Sequence, residues 1–249
     1  PDYTLDSYVD LISCVREEAP GTDIHTASPD EIAWAAKQSG VSTKEAIERL
    51  RDAGLGTVQG TAAEILVDSV RRVICPGKCD TATWVRIVKE AHRLGLRSTA
   101  TIMYGSCERA GDRARHLAIL REIQDETGGF TELVPLSFLH ENTAIYRKGL
   151  APAGATGRED LLLFAVARLF LDNFDHIQAS WVKVGTKMAQ LGLLSGADDL
   201  GGTLFEESIS REAGARDTDY LDPADMQRMA GDLGRMLRQR TTIYDLLPG

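Results

Sequence analysis

The chain has 249 residues, of which 43% are hydrophobic and 26% charged, and a formal net charge of −9. That length supplies one large core, and the acidic balance argues against non-specific nucleic-acid binding. Aromatic residues make up only 6%, with no basic-aromatic stripe, and the longest apolar run, Leu161–Leu171, is interrupted by Arg168, so no segment reaches the ~18 residues of a membrane span.

In chain order, Leu5, Tyr8, Val9, Leu11, Ile12 and Val15 give a first helix an apolar face, with Asp2 and Thr4 as possible caps. A short strand over 22–27 ends near His25. Ser28-Pro29-Asp30-Glu31 opens a helix with a capping box and a proline in the first turn. Ser42–Glu45 opens another, closed by Gly54. Leu55–Val58 reads as a strand. Gly60–Glu64 follows it and leads into a short helix containing Ile65 and Leu66, then a loop over 71–78. Asp80 or Thr81 caps the helix through Trp84, Ile87 and Val88.

Ser98–Met103 is β-branched and apolar, as a buried strand is, and Tyr104–Glu108 breaks it with small and polar groups. Leu117, Leu120 and Ile123 mark a covering helix, which Gly128 and Gly129 end. Phe130–Leu136 is the next strand, leading into the polar segment 137–142. Residues 141–158 form a long loop of the kind kept for binding lids. A helix over 159–171, a strand over 174–180, a helix over 184–193 and a short strand over 197–200 follow. Asp222-Pro223 opens a last helix to about Arg240.

About six strands, each followed by helix or loop, predict one α/β domain over 1–249, a parallel barrel of the TIM type. Such a barrel closes with eight strands. A helix ahead of the first strand suggests a barrel lacking its first two strands, and hence a missing N-terminal piece. Ligands of parallel α/β folds sit at the C-terminal strand ends, which selects the candidate residues. Glu64 and Glu108 follow strands beside small residues and can grip hydroxyls or an ammonium, or simply cap helices. His25 and His140 sit at strand ends. Asp198 and Asp199, with Glu206 and Glu207, form the densest acidic patch, either surface charge or a site for an amine or polyol. Cys75 and Cys79 supply only half of a tetrahedral metal site, and Cys14 and Cys107 do not complete it, so no metal ligand is assigned. His92, His116 and His176 read as structural. No P-loop and no nucleophile elbow occurs. Four cysteines fit a reduced compartment, and no secretory signal is legible, making the cytoplasm the expected location.

Eight segments in this order carry a resemblance. They are His25–Ile32, Gly60–Ile65, Ile74–Lys78, Ala100–Gly105, Gln124–Phe130, Pro135–Phe138, Gln178–Lys183 and Glu206–Ser210. Together the chain resembles the radical S-adenosylmethionine enzymes of deazaflavin synthesis, the CofH subunit of FO synthase or the matching half of FbiC. The resemblance implies a radical-SAM α/β barrel, S-adenosylmethionine as cofactor and a [4Fe-4S] cluster held by a Cys-x3-Cys-x2-Cys loop. That loop is absent here, so the resemblance implies a member truncated before its third strand and inactive by itself.

The implied reaction breaks the Cα–Cβ bond of L-tyrosine and joins its 4-hydroxybenzyl group to 5-amino-6-(D-ribitylamino)uracil. A CofG subunit, or a fused CofG half, would then close the deazaflavin ring. By this analogy Glu64, Tyr104 and Glu108 line the S-adenosylmethionine side. His25, His140, Gln178, Ser180, Asp198, Asp199 and Glu207 line the tyrosine and ribityl-uracil side. The resemblance assigns no catalytic residue. The rival is a menaquinone-pathway relative, aminofutalosine synthase or futalosine cyclase. Gly60-Thr-Ala-Ala-Glu64 and Glu206-Glu-Ser-Ile209 favour the deazaflavin branch.

Overall fold

A computed structural model describes residues 3–204, 208–214 and 220–248. Helix α1 (Leu5–Glu18) starts at a capping box on Thr4. Strand β1 (His25–Thr26) leads into α2 (Pro29–Ser39) and α3 (Thr43–Ala53), and β2 (Thr57–Val58) into α4 (Asp68–Ile74) and α5 (Thr81–Arg93). Strand β3 (Arg97–Tyr104) is followed by α6 (Ala110–Thr127), and β4 (Phe130–Ser137) by α7 (Ala144–Arg147) and α8 (Gly157–Phe170). The rest is helical: α9 (Trp181–Val184), α10 (Thr186–Leu194), α11 (Ser208–Ala213) and α12 (Pro223–Gly231).

The four strands form one parallel sheet in the order β1-β2-β3-β4. Two further parallel staves continue it by single bridges, Leu133 with Ile177 and Gln178 with Asp199. The expected six parallel segments are therefore present and neighbour one another in chain order. This is the connection pattern of a barrel wall.

Register decides which side chains face which way. Ala100, Ile102 and Tyr104 lie opposite Leu133, Pro135 and Ser137, and Leu133 lies opposite Ile177. Ala100, Ile102, Tyr104, Leu133 and Ile177 share a core with Leu117, Leu120 and Ile123 of α6 and Phe164 of α8. That side of the wall faces the helices. Alternation turns Thr99, Thr101 and Met103 of β3, Glu132, Val134 and Leu136 of β4, then Gln178 and Asp199, to the opposite side, the lumen. His25 and Thr57, opposite each other and in register with Arg97, continue the lumen side. A second core packs α1, α2, α3 and α5 together through Leu5, Ile12, Ile32, Ile47, Leu50 and Ile87.

The structure departs from the sequence reading in three places. Ile65 and Leu66 lie in turns rather than in a short helix, and ahead of them Ala62 and Glu64 hold φ angles of 61° and 42°, which no right-handed helix accepts. The helix comes later, over Asp68–Ile74, and runs into the 71–78 segment expected as a loop. The final helix stops at Gly231 instead of reaching Arg240, with Gly234 in the left-handed region beyond it.

Candidate functional site at the strand exits

The exit of β2 is the most tightly built part of the mouth. Gly60 N donates to Thr99 Oγ1 at 2.9 Å and Thr101 Oγ1 donates to Gly60 O at 2.7 Å. A Cβ on Gly60 would stand 1.9 Å from Thr99 O, so the backbones can approach only with glycine here. Behind the loop, Arg71 is 3% exposed, and its guanidinium donates to the carbonyls of Ala62, Ala63 and Cys79. Trp84 Nε1 donates to Thr61 O at 3.1 Å, and Leu66 N donates to the buried His116 Nδ1 at 3.0 Å. Glu64 O accepts from Met103 N at 2.9 Å. Its carboxylate, partly exposed, meets Lys78 Nζ at 2.5 Å. Strained backbone held by this many partners marks a position where geometry is specified.

His25 opens the two-residue strand β1, with Nδ1 2.8 Å from Thr57 Oγ1. Burial lowers its pKa below the usual histidine value, opposed by nearby Asp23, so the imidazole is neutral at pH 7. Gln59 Nε2 donates to His25 O at 3.3 Å.

At the exit of β3, Tyr104 and Glu108 turn inward to the protein. The Tyr104 hydroxyl donates to Asp160 Oδ1 of α8 at 2.7 Å, and the Arg113 guanidinium lies 5.7 Å from its ring centroid. The ring faces the helices, not the lumen. Glu108 accepts from Gly105 N, Ser106 N and Ser106 Oγ at 2.6, 2.9 and 2.8 Å, and from Arg113 Nε at 2.7 Å. Its side chain is 0% exposed. Both groups are committed to closing the 105–108 turn and fastening it to α6 and α8.

His140, past β4, stacks edge-on against Tyr146 at 4.6 Å, and its Nδ1 is 3.8 Å from Glu141. Ser180 precedes α9 as its N-cap without a side-chain capping bond. The adjacent aspartates part company. Asp198 turns toward α8, accepting from Arg168 Nη2, and its other oxygen is 2.7 Å from His176 Nδ1. Asp199 faces the lumen, where Arg240 grips it through Nε and Nη2 and Gly201 N donates to it at 2.6 Å. Glu207 lies outside the described residues.

One lumen carboxylate escaped the sequence reading. Glu132 is 5% exposed, accepts from Gln178 Nε2 at 3.0 Å and Tyr244 OH at 2.7 Å, and has Arg240 3.6 Å away. Burial pushes its pKa above the ordinary carboxylate value, against the pull of Tyr244 and Arg240. The available signal was a lone carboxylate inside an apolar strand, which needs buried partners. Attention to strand ends alone passes over it.

No three His, Cys, Asp or Glu side chains come together as a metal site among the described residues. Burial, with Asp30 nearby, pushes the Cys79 thiol up to about 12, and burial raises Cys75 as well. These two thiols gain no third His, Cys, Asp or Glu that would make a metal site with them among the described residues. A cavity of about 480 Å3 lies at the sixth stave between Gly201, Gly202, Met226 and the 235–246 segment, and no residue of β1–β4 lines it. None of the helices of the described residues is long and apolar enough to cross a membrane.

A wall of parallel staves with helices on one face, a polar opposite face and constrained loops at the strand exits is the architecture of a barrel enzyme. The solved structure of methylornithine synthase (PylB) shares this fold, with a TM-score of 0.67 and 17% identity over 94% of this chain and 64% of that one. The model of the CofH/MqnC C-terminal region matches residues 127–248. Proteins named 5-amino-6-(D-ribitylamino)uracil–L-tyrosine 4-hydroxyphenyl transferase are similar along the full length. That of Methanoculleus marisnigri is 74% identical over 249 residues, covering 100% of this chain and 68% of its own. That of Methanosphaerula palustris is 64% identical, covering 99% and 67%. That of Methanocaldococcus jannaschii is 47% identical, covering 98% and 69%. The chain belongs to this transferase family.

Proposed function

We propose that the chain forms the substrate-binding part of a 5-amino-6-(D-ribitylamino)uracil–L-tyrosine 4-hydroxyphenyl transferase, a cytoplasmic enzyme of deazaflavin synthesis. The observation that carries this is 74% identity to a protein of that name, sustained over all 249 residues. Residues at the strand exits and on the lumen side agree with it. A ribityl chain and an aminouracil offer many hydroxyl and N–H groups, and His25, Gln178, Ser180 and His140 offer matching polar atoms. In its neutral form His25 can accept or return a proton at one ring nitrogen. Segment 141–158 packs on the exit of β3, where a Cβ on Gly105 would stand 2.5 Å from Ala155 N, and it would keep water from the reacting groups.

Of the three residues expected on the S-adenosylmethionine side, Glu64 is the one whose carboxylate is available at the mouth. It would hold the ammonium or ribose hydroxyls, exchanging its contact with Lys78. S-adenosylmethionine, once reductively cleaved, supplies the radical chemistry of the reaction. The iron–sulfur ligands would come from chain outside these residues. The menaquinone-pathway reading is the weaker one, because relatives at 45–74% identity carry the transferase name. A CofG partner completing the ring is part of the same proposal.

The test is turnover by full-length enzyme with a reconstituted cluster, S-adenosylmethionine, a reductant, tyrosine and the ribitylaminouracil. Coupled product is expected, and its absence with turnover of a futalosine-type substrate would reverse the assignment. The 249 residues alone should bind no stoichiometric iron and sulfide. Finding a full cluster in them would contradict the placement of its ligands elsewhere.

A further inference from the structure

We infer that the C-terminal segment 235–247 reaches into the lumen and, through Tyr244 and Glu132, fixes which atom of Gln178 faces the aminouracil substrate. The inference rests on the proposed function and names a specificity device within it. The segment folds back on itself, with an antiparallel bridge between Arg240 and Leu246 and Thr241 N donating to Asp245 O at 2.9 Å. At its tip Tyr244 holds a φ of 73°, unusual for a bulky residue. Its position is nonetheless specified on every side. The ring stacks on His176 with centroids 3.7 Å apart and planes 4° apart, and the Arg240 guanidinium lies 3.9 Å from the ring centroid. The hydroxyl donates to Glu132 Oε2 across 112 residues of sequence at 2.7 Å.

Glu132 Oε2 also accepts from Gln178 Nε2 at 3.0 Å. A carboxylate accepts only, so the reversed amide would set two acceptors against each other. The orientation of Gln178 is therefore settled by Glu132, and Oε1 points the other way, toward the loop after the sixth stave. There a Cβ on Gly201 would stand 3.0 Å from it. Oε1 has no protein partner among the described residues. Asp199 cannot play the same part, because Arg240 and Gly201 N occupy both of its oxygens. Gln178 thus presents a bare acceptor on the lumen side and selects a ligand that donates. Of the two substrates the ribitylaminouracil is the donor-rich one, with ring and exocyclic N–H groups and ribityl hydroxyls.

Tyr244 acts as a positioning residue and does not itself touch substrate. The experiment is calorimetric titration of full-length enzyme with the ribitylaminouracil, using wild type, Gln178→Leu, Tyr244→Phe and the double variant. Tyr244→Phe keeps the stack on His176 and removes only the hydroxyl. Loss of one directed hydrogen bond predicts about tenfold weaker binding for Gln178→Leu, and about fivefold for Tyr244→Phe. The double variant should bind no more weakly than Gln178→Leu, since both act through one acceptor. Glu132→Gln, which keeps the volume and removes the charge that orients Gln178, should weaken binding as Tyr244→Phe does and serves if the latter fails to fold. Unchanged affinity in Gln178→Leu, or single effects that multiply in the double variant, would overturn the inference. Wild-type enzyme that does not bind the ribitylaminouracil would overturn the functional reading as well.

Discussion

Tyr104 and Glu108 stand at the exit of a central strand, and their side chains bond to Asp160, to Arg113 and to the 105–108 turn. Their position after a central strand was legible, but side-chain direction depends on register with β4, which no local pattern reveals. Tyr104→Phe removes one donor from the buried Asp160 carboxylate. It should cost about 1–3 kcal/mol of stability, read by urea unfolding, and leave S-adenosylmethionine affinity in the full-length enzyme unchanged. Weaker cofactor binding without a stability loss would show the ring reaching the site. His92 was rightly read as structural: its ring nitrogens lie 2.7 Å from Thr127 Oγ1 and 2.8 Å from Ser98 Oγ. Burial lowers its pKa to about 4. A histidine with a lowered folded pKa contributes stability that is present above its unfolded value of about 6.5 and lost as pH falls through about 4. Urea midpoints should therefore decline from pH 6.5 to pH 4, and His92→Gln should flatten that decline. An unchanged slope in the variant would place the acid sensitivity elsewhere.

Among the elements, helix starts were the most legible. The capping box from Ser28 to Glu31 forms as the spacing demands, with Ser28 N donating to Glu31 Oε2 at 2.8 Å. The 60–67 segment was not legible, because it is held by backbone groups that leave no trace in sequence. Arg71 reads as an ordinary loop charge, yet it is the buried clamp of the 60–67 segment. Arg71→Met should cost about 2–4 kcal/mol, because three buried carbonyls lose their donors. It should also speed hydrogen exchange at the amides of residues 60–67 ahead of the rest of the sheet. Uniform exchange across the chain would deny the clamp its local role. Gly60→Ala is expected to be more damaging, since its Cβ would meet the backbone of Thr99 and not a flexible side chain.

For the whole molecule, alternation of strand and helix foretold the parallel wall, and six segments were counted correctly. The closing contacts were not foreseen. Glu132, Gln178, Asp199, Arg240 and Tyr244 come from four separate stretches, and only the fold brings them to one side of the wall. The fifth and sixth staves make single bridges, so the C-terminal segment supplies side-chain bonding where backbone pairing is sparse. The account stands on the lumen side of this wall being the substrate side. A crystal structure of the full-length enzyme with 5-amino-6-(D-ribitylamino)uracil tests it most directly. The account predicts the ligand at the strand exits, with a donor on Gln178 Oε1 and His25 and Ser180 nearby. The ligand bound outside the wall, on the helix face at Asp198, would contradict it.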